Sequence, residues 1–450
     1  MKKYDVIFIG SGHATWHGAV KLAKAGKSVA LVEGDKIFGT CTNYGCNAKI
    51  LLDGPADVIH QANAYQNTGL TGELKIDWPS LMQYKHKILD SDPDHKAIRE
   101  AFPKMGIDIL NGWGQISDPH HVKVGDDEFE ADYIVIGAGL RPAKLDIPGK
   151  EFLHDSRDFL DIPEMPKRIT FIGAGVISYE FADLARAAGA EVTIVHRSDK
   201  PLKAFYSKYV QKLTKQLKSH RINFEFNQNV ESVTKAEDGL VVKTDAGKEI
   251  STDYVLDATG RIANYEQLGL AELGIKADSA GIEVDDHLRT SVENIFASGD
   301  VIKKSIPKLT PTAAYESNYI AKQIIGESSE AINYPPIAEV LFSLPRLSQV
   351  GVKVEDAKDD DRYQVKTIPY GMLVFETKNE PRAEATVVLN QANEIVGATI
   401  LGNQAVQLAN LLAVMISKHM KPEDVDEEMI MAFPDESFGL FQLLSGGLPG

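Results

Sequence analysis

The sequence predicts an α/β protein with two strand–helix–strand units, followed by a C-terminal α+β domain. One apolar strand pattern ends at Gly10-Ser11-Gly12, and another ends at Gly173-Ala174-Gly175. Each continues through a helical pattern into a second apolar strand, which ends at Glu33 in the first unit and at His196 in the second. The interval from the first glycine to that strand end is 23 residues in both units. The chain therefore repeats one β-α-β element.

The glycines of the two units suit the binding of a phosphate group. The first glycine permits a tight turn, the second lets the backbone approach a pyrophosphate, and the following helix supplies N–H groups and a positive dipole. The third position of the usual G-x-G-x-x-G pattern is Thr15 in one unit and Ser178 in the other. A single match would fit an ordinary glycine-rich turn equally well. Its repetition with equal spacing predicts two Rossmann-like dinucleotide-binding domains.

The residue that ends the second strand differs between the units. Glu33 suits a ribose diol, because a carboxylate accepts hydrogen bonds from hydroxyl groups and repels a 2′-phosphate. His196 takes this place in the second unit and is followed by Arg197, Lys200 and Lys203. The basic cluster favours a 2′-phosphate, and therefore NADPH, in the second domain. The alternative is a solvated basic loop, since most charge runs are surface features.

The composition is that of a folded globular protein. Of the 450 residues, 43% are hydrophobic and 25% are charged, and the net charge is −16. The apolar content excludes general disorder, and the acidic balance with scattered basic residues argues against nucleic acid and anionic membranes as partners. The sequence contains no apolar run of about 18 residues, the length that a membrane helix needs. The expected location is the cytoplasm.

Cys41 and Cys46 are the two cysteines of the chain, and they lie close together near the N-terminus. A disulfide scaffold needs more cysteines spread more widely. Two thiols without nearby histidines make a poor zinc site, so no metal is expected. An isolated close pair in a reducing compartment instead indicates redox chemistry.

The C-terminal domain is expected from about residue 331, next to the Tyr334-Pro335-Pro336 break. Apolar strand patterns at 385–389 and 395–400 flank a turn at 390–394 and predict a hairpin. The segment 404–420 predicts a helix so apolar that a second subunit is expected to cover part of it.

Further segments carry a family resemblance. The strongest is Gly-Thr-Cys-Thr-Asn-Tyr-Gly-Cys at 39–46, and the others are Ala-Thr-Gly-Arg at 258–261, Asn-Ile-Phe-Ala-Ser-Gly-Asp at 294–300, Leu-Thr-Pro at 309–311, and Phe-Ser-Leu-Pro at 342–345 with Val-Gly at 350–351. With the two glycine turns, they resemble the flavoprotein pyridine nucleotide-disulfide oxidoreductases from end to end. This is the family of glutathione reductase, dihydrolipoyl dehydrogenase and mercuric reductase.

The resemblance implies cofactors, an assembly and domain bounds. It implies a FAD-binding domain at 1–145 and 257–330, an NADPH-binding domain at 146–256, and a dimerisation domain at 331–450 that forms a homodimer. The residues expected to bind FAD are Gly10, Gly12, Glu33, Thr40, Gly114, Arg261, Asp300 and Thr310. Those expected to bind NADPH are Gly173, Gly175, Ser178, His196, Arg197 and Lys203.

The resemblance also implies roles for the cysteine segment. Cys46 is expected to be the thiolate beside the flavin, and Cys41 the exposed nucleophile that meets the substrate. A helix that begins near Asn47 would lower the pKa of a thiol at its N-terminus. Lys49 is expected beside the flavin and paired with Glu180 on the helix of the NADPH domain, although a surface lysine is the alternative.

The family pattern breaks near the C-terminus. The disulfide reductases of the family carry a His-Pro motif with a glutamate a few residues on, and the histidine acts as general acid–base from the partner subunit. This chain has Phe433 at the histidine position and Phe438 at the glutamate position. Loss of a general acid costs about 10²- to 10⁴-fold when the leaving group needs a proton.

A substrate with a better leaving group would tolerate this loss. With hypothiocyanous acid, the Cys41 thiolate would attack the electrophilic sulfur, and Cys46 would then expel thiocyanate, the anion of a strong acid. The Cys-Asn-Ala-Lys and Phe-Pro segments also resemble the bacterial hypothiocyanous acid reductases. The phenyl rings would narrow the site against bulky peptide disulfides.

Other interpretations stay open at this point. The aromatic residues could pack at the dimer seam while another group supplies the proton to glutathione disulfide or a similar small disulfide. A Cu(II) or Hg(II) reductase is a further alternative, with mercury disfavoured because the chain lacks a C-terminal cysteine pair. The fourth interpretation is a redox sensor that has no physiological turnover.

Overall fold

The computed structural model describes residues 1–66, 68–92, 95–373, 380 and 382–446. The helices in these ranges are α1 (Trp16–Lys24), α2 (Gly39–Tyr44), α3 (Cys46–Ala64), α4 (Trp78–Leu89), α5 (Lys96–Lys104), α6 (Ser156–Phe159), α7 (Val176–Ala187), α8 (Ser207–Ser219), α9 (Thr310–Ile324), α10 (Val354–Ala357), α11 (Ala405–Ser417), α12 (Pro422–Glu428) and α13 (Glu436–Ser445). Within the described ranges, every helix is too short or too polar to cross a lipid bilayer.

The strands alternate with these helices along most of the chain. They are β1 (Lys2–Ile9), β2 (Val29–Glu33), β3 (Ile107–Asn111), β4 (Gly114–Asp118), β5 (His121–Val124), β6 (Asp127–Ile136), β7 (Leu140–Pro142), β8 (Leu153–His154), β9 (Arg168–Ile172), β10 (Glu191–His196), β11 (Ile222–Phe226), β12 (Val230–Ala236), β13 (Gly239–Thr244), β14 (Glu249–Thr252), β15 (Tyr254–Asp257), β16 (Arg261–Ala263), β17 (Ala277–Asp278), β18 (Gly281–Ile282), β19 (Ile295–Ala297), β20 (Ala338–Leu341), β21 (Leu347–Gly351), β22 (Tyr363–Ile368), β23 (Glu384–Asn390) and β24 (Ile395–Leu401).

The first of two compact units comprises Met1–Leu51, Met82–Ala143 and Gly260–Asn333. Its main sheet has the strand order β3-β2-β1-β6-β5-β4, and β19 also pairs with β6. β1 lies inside this sheet, parallel to β2 and β6. Inner strands of parallel sheets are covered on both faces, which explains why Val6, Ile7, Phe8 and Ile9 form an unbroken apolar run and are all buried. The first predicted β-α-β unit is confirmed as β1, α1 and β2.

The second compact unit comprises Leu52–Leu81, Lys144–Thr259 and Tyr334–Gly450. It holds a parallel sheet of order β11-β10-β9-β15-β8 and an antiparallel sheet of order β12-β13-β14. β9 pairs in parallel with β10 and with β15, and α7 connects β9 to β10. The second predicted β-α-β unit is therefore also confirmed.

The C-terminal part of the second unit is an antiparallel sheet of order β20-β21-β24-β23-β22. Helices α11 and α13 share a hydrophobic core with its strands. The predicted hairpin is confirmed as β23 and β24. The Asn390 side chain stabilises its turn, because Oδ1 accepts hydrogen bonds from the N–H groups of Ala392 and Glu394 at 3.0 and 2.9 Å.

The predicted helix at 404–420 is shorter than expected, because α11 ends at Ser417. His419 adopts a left-handed backbone conformation with φ +57°, and the Met420 N–H donates back to the Met415 carbonyl at 3.1 Å. This is the bond pattern of a helix C-terminus. The buried side of α11 packs on its own sheet, while Val414 is 57% exposed.

Candidate active site

The first glycine turn follows β1 and leads into α1. Gly10 has φ +101°, and a Cβ there would lie 2.6 Å from the Gly137 carbonyl oxygen, so the turn accepts glycine alone. At Gly12, in contrast, an added Cβ would meet only the Phe38 carbonyl oxygen, at 4.0 Å. The backbone beside the α1 N-terminus is therefore open, as the close approach of a pyrophosphate requires.

Glu33, at the end of β2, is held by three hydrogen bonds. One carboxylate oxygen accepts from the Ser11 N–H at 3.1 Å and from the Ser11 hydroxyl at 2.6 Å, and the other accepts from the Asp35 N–H at 2.9 Å. The Ser11 hydroxyl oxygen also accepts from the Phe38 N–H at 2.9 Å. The carboxylate is thus oriented beside the glycine turn, in the position expected for a residue that binds a ribose.

The second glycine turn repeats this geometry. Gly173 has φ +103°, and an added Cβ would lie 2.5 Å from the Ala258 carbonyl oxygen, whereas a Cβ at Gly175 would meet nothing within 4 Å. Ser178 lies in the first turn of α7 and is fully buried. Both turns fit a dinucleotide, because each combines a tight backbone with open space at a helix N-terminus.

The basic cluster of the second unit is brought to this turn. The Leu202 N–H donates to the Ala174 carbonyl at 3.0 Å, which places Lys203 beside the glycine turn. Arg197 and Lys203 are exposed, and His196 is half-buried at the end of β10. Burial lowers the pKa of His196, and the charges of Lys203 and Arg197 lower it further. His196 is therefore mostly neutral at neutral pH, and the positive charge here belongs to Arg197 and Lys203.

The cysteine segment consists of two helices. α2 contains Cys41, and α3 begins at Cys46, one residue before the expected start. Both cysteines are free thiols, and the Cys46 sulfur lies 3.8 Å from the Thr310 hydroxyl at the start of α9. Cys46 is exposed at the N-terminus of α3, and Cys41 is partly buried in α2. The roles expected for the two thiols stay a prediction.

The two thiols differ strongly in acidity. The pKa of Cys46 is lowered to about 6, mainly by a hydrogen bond from Cys41, with help from Thr310 and from the positive charge of Lys49. The pKa of Cys41 is raised by its hydrogen bond with Cys46 and by burial. The pair therefore shares one proton, which stays on Cys41, and Cys46 carries the thiolate at neutral pH.

Glu180 is buried on α7. One of its carboxylate oxygens accepts a hydrogen bond from the Phe342 N–H at 2.8 Å. The expected partner, Lys49, lies in the first part of α3, where it contributes to the acidity of Cys46. The Lys49–Glu180 pair stays a prediction.

The other residues expected at the FAD site lie on several elements of the first unit. Thr40 is exposed on α2. Gly114 begins β4, where an added Cβ would press on Val32 and Ile9 at 3.1 and 3.3 Å. Arg261 donates to the Leu140 carbonyl at 2.8 Å, and the Asp300 carbonyl accepts from the Lys308 ammonium at 2.7 Å.

Phe433 and Phe438 lie close together at the start of α13. Their ring centroids are 5.1 Å apart in an edge-to-face arrangement, and Phe433 is 62% exposed. Asp435 caps the helix between them, accepting a hydrogen bond from the Ser437 N–H at 2.9 Å. An aromatic pair thus stands where the family resemblance places an acid–base pair.

Two residues that support the site were missed in the sequence. Ser11 holds both Glu33 and the Phe38 N–H, and Asn43 donates to the carbonyls of Ile37 and Gly39 at 2.8 and 2.9 Å. Asn43 therefore stabilises the turn that leads into α2. The available signal was position alone: Ser11 is the middle residue of the glycine turn, and Asn43 lies between the cysteines.

Two dinucleotide turns and a dithiol with one acidic thiol define a two-electron oxidoreductase. Comparison with known proteins gives the family. The model for the pyridine nucleotide-disulphide oxidoreductases matches residues 4–317, and the model for the dimerisation domain of these enzymes matches residues 337–436. The chain belongs to the pyridine nucleotide-disulphide oxidoreductases.

Relatives are similar over most of the chain. A glutathione reductase from a Nostoc species is 28% identical over 94% of this chain and 95% of its own length. The chloroplastic/mitochondrial glutathione reductase of Pisum sativum is 29% identical over 94% of this chain and 79% of its own. A soluble pyridine nucleotide transhydrogenase from Mycobacterium tuberculosis is 31% identical over 83% of this chain and 81% of its own.

The family membership establishes the general activity. The chain is an NAD(P)H-dependent FAD oxidoreductase that acts on a disulfide, and its cofactors are FAD and NADPH. The match to the dimerisation domain supports a homodimer.

Proposed function

We propose that this enzyme reduces hypothiocyanous acid to thiocyanate and water at the expense of NADPH. The observation that carries the proposal is the aromatic pair Phe433 and Phe438, which replaces the acid–base pair that a disulfide reductase of this family needs for a basic leaving group. A substrate that leaves as the anion of a strong acid does not need that proton.

The acidities of the two cysteines support each step. The Cys46 thiolate takes the proton of Cys41, the Cys41 thiolate attacks the sulfur of hypothiocyanous acid, the S–O bond breaks, and the hydroxide leaves as water with that proton. This gives a sulfenyl thiocyanate, in which Cys41 Sγ is bonded to the sulfur of the SCN group. The Cys46 thiolate then attacks Cys41 Sγ, the disulfide forms, and thiocyanate leaves with the electron pair. The pair thus supplies both the proton of the first step and the thiolate of the second.

The disulfide must then be reduced to the dithiol again, which needs the two cofactors. The Cys41–Cys46 disulfide would accept two electrons that come from NADPH, a transfer for which bound FAD would supply the chemistry. Gly10, Gly12 and Glu33 would hold FAD at the first turn, with Thr310 beside Cys46. The remaining FAD-binding proposals are Thr40, Gly114, Arg261 and Asp300.

NADPH would bind at the second turn. Gly173 and Gly175 would take the pyrophosphate, with the buried Ser178 supporting the turn from α7, and Arg197 and Lys203 would take the 2′-phosphate beside His196. A Lys49–Glu180 ion pair would keep the Lys49 ammonium charged close to Cys46, which favours the thiolate.

The first experiment compares two substrates. The FAD-loaded homodimer is mixed with NADPH and either hypothiocyanous acid or glutathione disulfide, and NADPH consumption is followed. We expect fast turnover of hypothiocyanous acid and turnover of glutathione disulfide lower by at least about 10²-fold. Fast turnover of glutathione disulfide with little use of hypothiocyanous acid would refute the proposal.

Two variants test the assigned roles. Cys41→Ser should lower turnover by a factor of at least about 10³ while FAD stays bound, because the nucleophile is lost. Phe433→His with Phe438→Glu should raise glutathione disulfide turnover by about tenfold or more, because a general acid is restored. Phe433→Leu with Phe438→Leu is the matched control, and it should leave that activity low.

The acidity of Cys46 can be measured directly. Its pKa is lowered to about 6, so the thiolate should be present above about pH 6 and should be lost as the pH falls through that value. The measurement is the thiolate absorbance of the reduced protein, with reduced Cys46→Ser as blank. Thr310→Val should move the midpoint upward, because the Thr310 hydroxyl stabilises the thiolate. A midpoint near the ordinary thiol value would contradict the assignment.

The second candidate is the reduction of a small disulfide. It is favoured by the two relatives named glutathione reductase, which match nearly the whole chain. This candidate needs a proton donor other than residue 433, and the substrate comparison above separates it from the first. The cysteine pair argues against a transhydrogenase, because hydride exchange between nucleotides uses no dithiol.

A further inference from the structure

The second unit contains a cavity of about 930 Å³ that is separate from its glycine turn. The cavity lies at the C-terminal ends of α7 and α8, and it is also lined by α3 and by the C-terminal sheet domain. α7 is 12 residues long, so its two ends are about 18 Å apart. The residues proposed for NADPH are at the other end of α7, and none of them lines the cavity.

Three arginines from different segments line this cavity: Arg186, Arg221 and Arg382. Arg186 donates two hydrogen bonds, to the carbonyls of His220 and Ala190 at 2.9 and 3.3 Å. These bonds fix the guanidinium and use two of its five donors. Three guanidinium groups in one cavity favour an anionic ligand, because their planar forks match carboxylate and phosphate groups.

Arg221 has a second property that points to function. It follows the end of α8 with φ +67°, the left-handed position where glycine is the favoured residue. Arg221 therefore occupies a position where glycine would give a more stable backbone. Strained positions of this kind are frequent where a side chain serves a ligand.

The acidic residues of the cavity are already engaged. The Glu380 carboxylate accepts two hydrogen bonds from the Asn403 N–H, at 3.0 and 2.8 Å. Burial raises the pKa of the Asp183 carboxyl to about 8, so this group is mostly uncharged at neutral pH. Glu73 forms an ion pair with Lys75 at 3.2 Å. The three arginines therefore outnumber the charged carboxylates that line the cavity, and the cavity is positive.

Two histidines complete the polar lining. The rings of His60 and His220 are 5.9 Å apart. Burial lowers the pKa of both, to about 4 for His60, and the charges of Arg186 and Arg382 lower that of His220 further. Both rings are neutral at neutral pH and can each offer one N–H group. Beside His60, the buried Asn403 Oδ1 makes no hydrogen bond of normal geometry with any residue that the structure describes.

The rest of the lining is apolar. Ile59, Leu74, Leu344 and Leu401 contribute to it. A volume of this size lies in the range of pockets that hold small organic molecules rather than single inorganic ions. The ligand that fits therefore has an organic body and more than one negative group.

We propose that this cavity binds a small organic anion carrying two or more phosphate or carboxylate groups, held by Arg186, Arg221 and Arg382. The site is independent of the proposed substrate, because it shares no residue with the cysteine segment or with the glycine turns.

The test uses the FAD-loaded homodimer with saturating NADP⁺, so that the dinucleotide site is filled. Citrate and ADP are the two probes, and binding is measured by isothermal titration calorimetry. We expect one site per subunit for at least one probe. Tighter binding of ADP indicates a phosphate ligand, and tighter binding of citrate indicates a carboxylate ligand.

Single-site variants locate the binding. Arg221→Gly and Arg382→Ala should each weaken binding by about tenfold or more, because each removes a charge-assisted contact. The matched control is Arg362→Ala, an exposed arginine of the same unit that lies outside the cavity, and it should bind normally. Unchanged NADPH turnover in all three variants shows that they fold. The proposal is overturned if neither probe binds, or if the cavity variants bind like the control.

Discussion

The two glycine turns share one backbone conformation, but the strands that follow them end in different side chains. Gly10 and Gly173 have φ values of +101° and +103°, and an added Cβ would strike a carbonyl oxygen at 2.6 and 2.5 Å. At the end of the second strand, however, one unit has Glu33 bound to Ser11, and the other has half-buried His196. The backbone of both turns is thus suited to a pyrophosphate, and we propose that the strand-end side chains distinguish the two nucleotides.

The largest effect should come from breaking each turn separately. Gly10→Ala and Gly173→Ala each place a Cβ against a carbonyl oxygen in a left-handed conformation, at a cost of about 1–3 kcal/mol or more. We expect Gly10→Ala to lose bound FAD. Gly173→Ala should retain FAD, measured by its absorbance, and lose reduction by NADPH. Loss of FAD from Gly173→Ala would show that the turns do not have separate ligands.

A smaller effect should follow from removing the charges next to His196. Arg197→Ala with Lys203→Ala should raise the KM for NADPH by about tenfold to hundredfold, because contacts between a cation and a phosphate are lost. The KM for NADH should change by less than about twofold. Lys243→Ala, elsewhere in this unit, is the control. Equal losses for both nucleotides would mean that the cluster does not bind the 2′-phosphate.

A more moderate effect should follow from removing the charge of Glu33, which ends the second strand of the first unit. Glu33→Gln keeps the shape of the side chain and removes its charge, so hydrogen bonds to a ribose diol become weaker. We expect FAD affinity to fall by about tenfold, measured by dissociation of the flavin on dilution. The nucleotide preference of the second turn should not change. If FAD affinity were unaffected, Glu33 would have a purely structural role in holding Ser11.

The smallest effect is expected for His196 itself. Burial and the neighbouring cations lower its pKa. The ring is therefore neutral at any pH above the ordinary histidine pKa, and it carries little charge at pH 7 to 8. His196→Asn should therefore change the KM for NADPH by less than about threefold in that range. Below the lowered pKa, the protonated ring would add charge, so wild-type affinity should rise relative to the variant as the pH falls. A large loss at pH 8 would contradict this.

The regular elements could be predicted from local patterns. Both β-α-β units and the hairpin of β23 and β24 were found, because buried parallel strands and turn residues leave short-range signals. The end of α11 was placed three residues too late, since the left-handed turn at His419 has no glycine to mark it. Helix ends depend on backbone bonds such as that from Met420 to Met415, which composition does not reveal.

The candidate site was only partly predictable. The cysteine pair and the aromatic substitutions were visible as residue types, but the neighbours that set the exposure of each thiol were not. Exposure depends on which neighbours cover a side chain, and these come from segments far apart in the chain. Thr310, which contacts Cys46, is 264 residues away.

The sequence by itself determined the family, both dinucleotide turns, the redox pair and the break at Phe433, because each is carried by residue types at short spacing. The tertiary structure alone decided which neighbours make Cys46 acidic, how Ser11 orients Glu33, and which three arginines line one cavity. The physical reason is that acidity, orientation and charge density depend on distances between atoms. Such distances are set by long-range packing, which no local pattern of residues encodes.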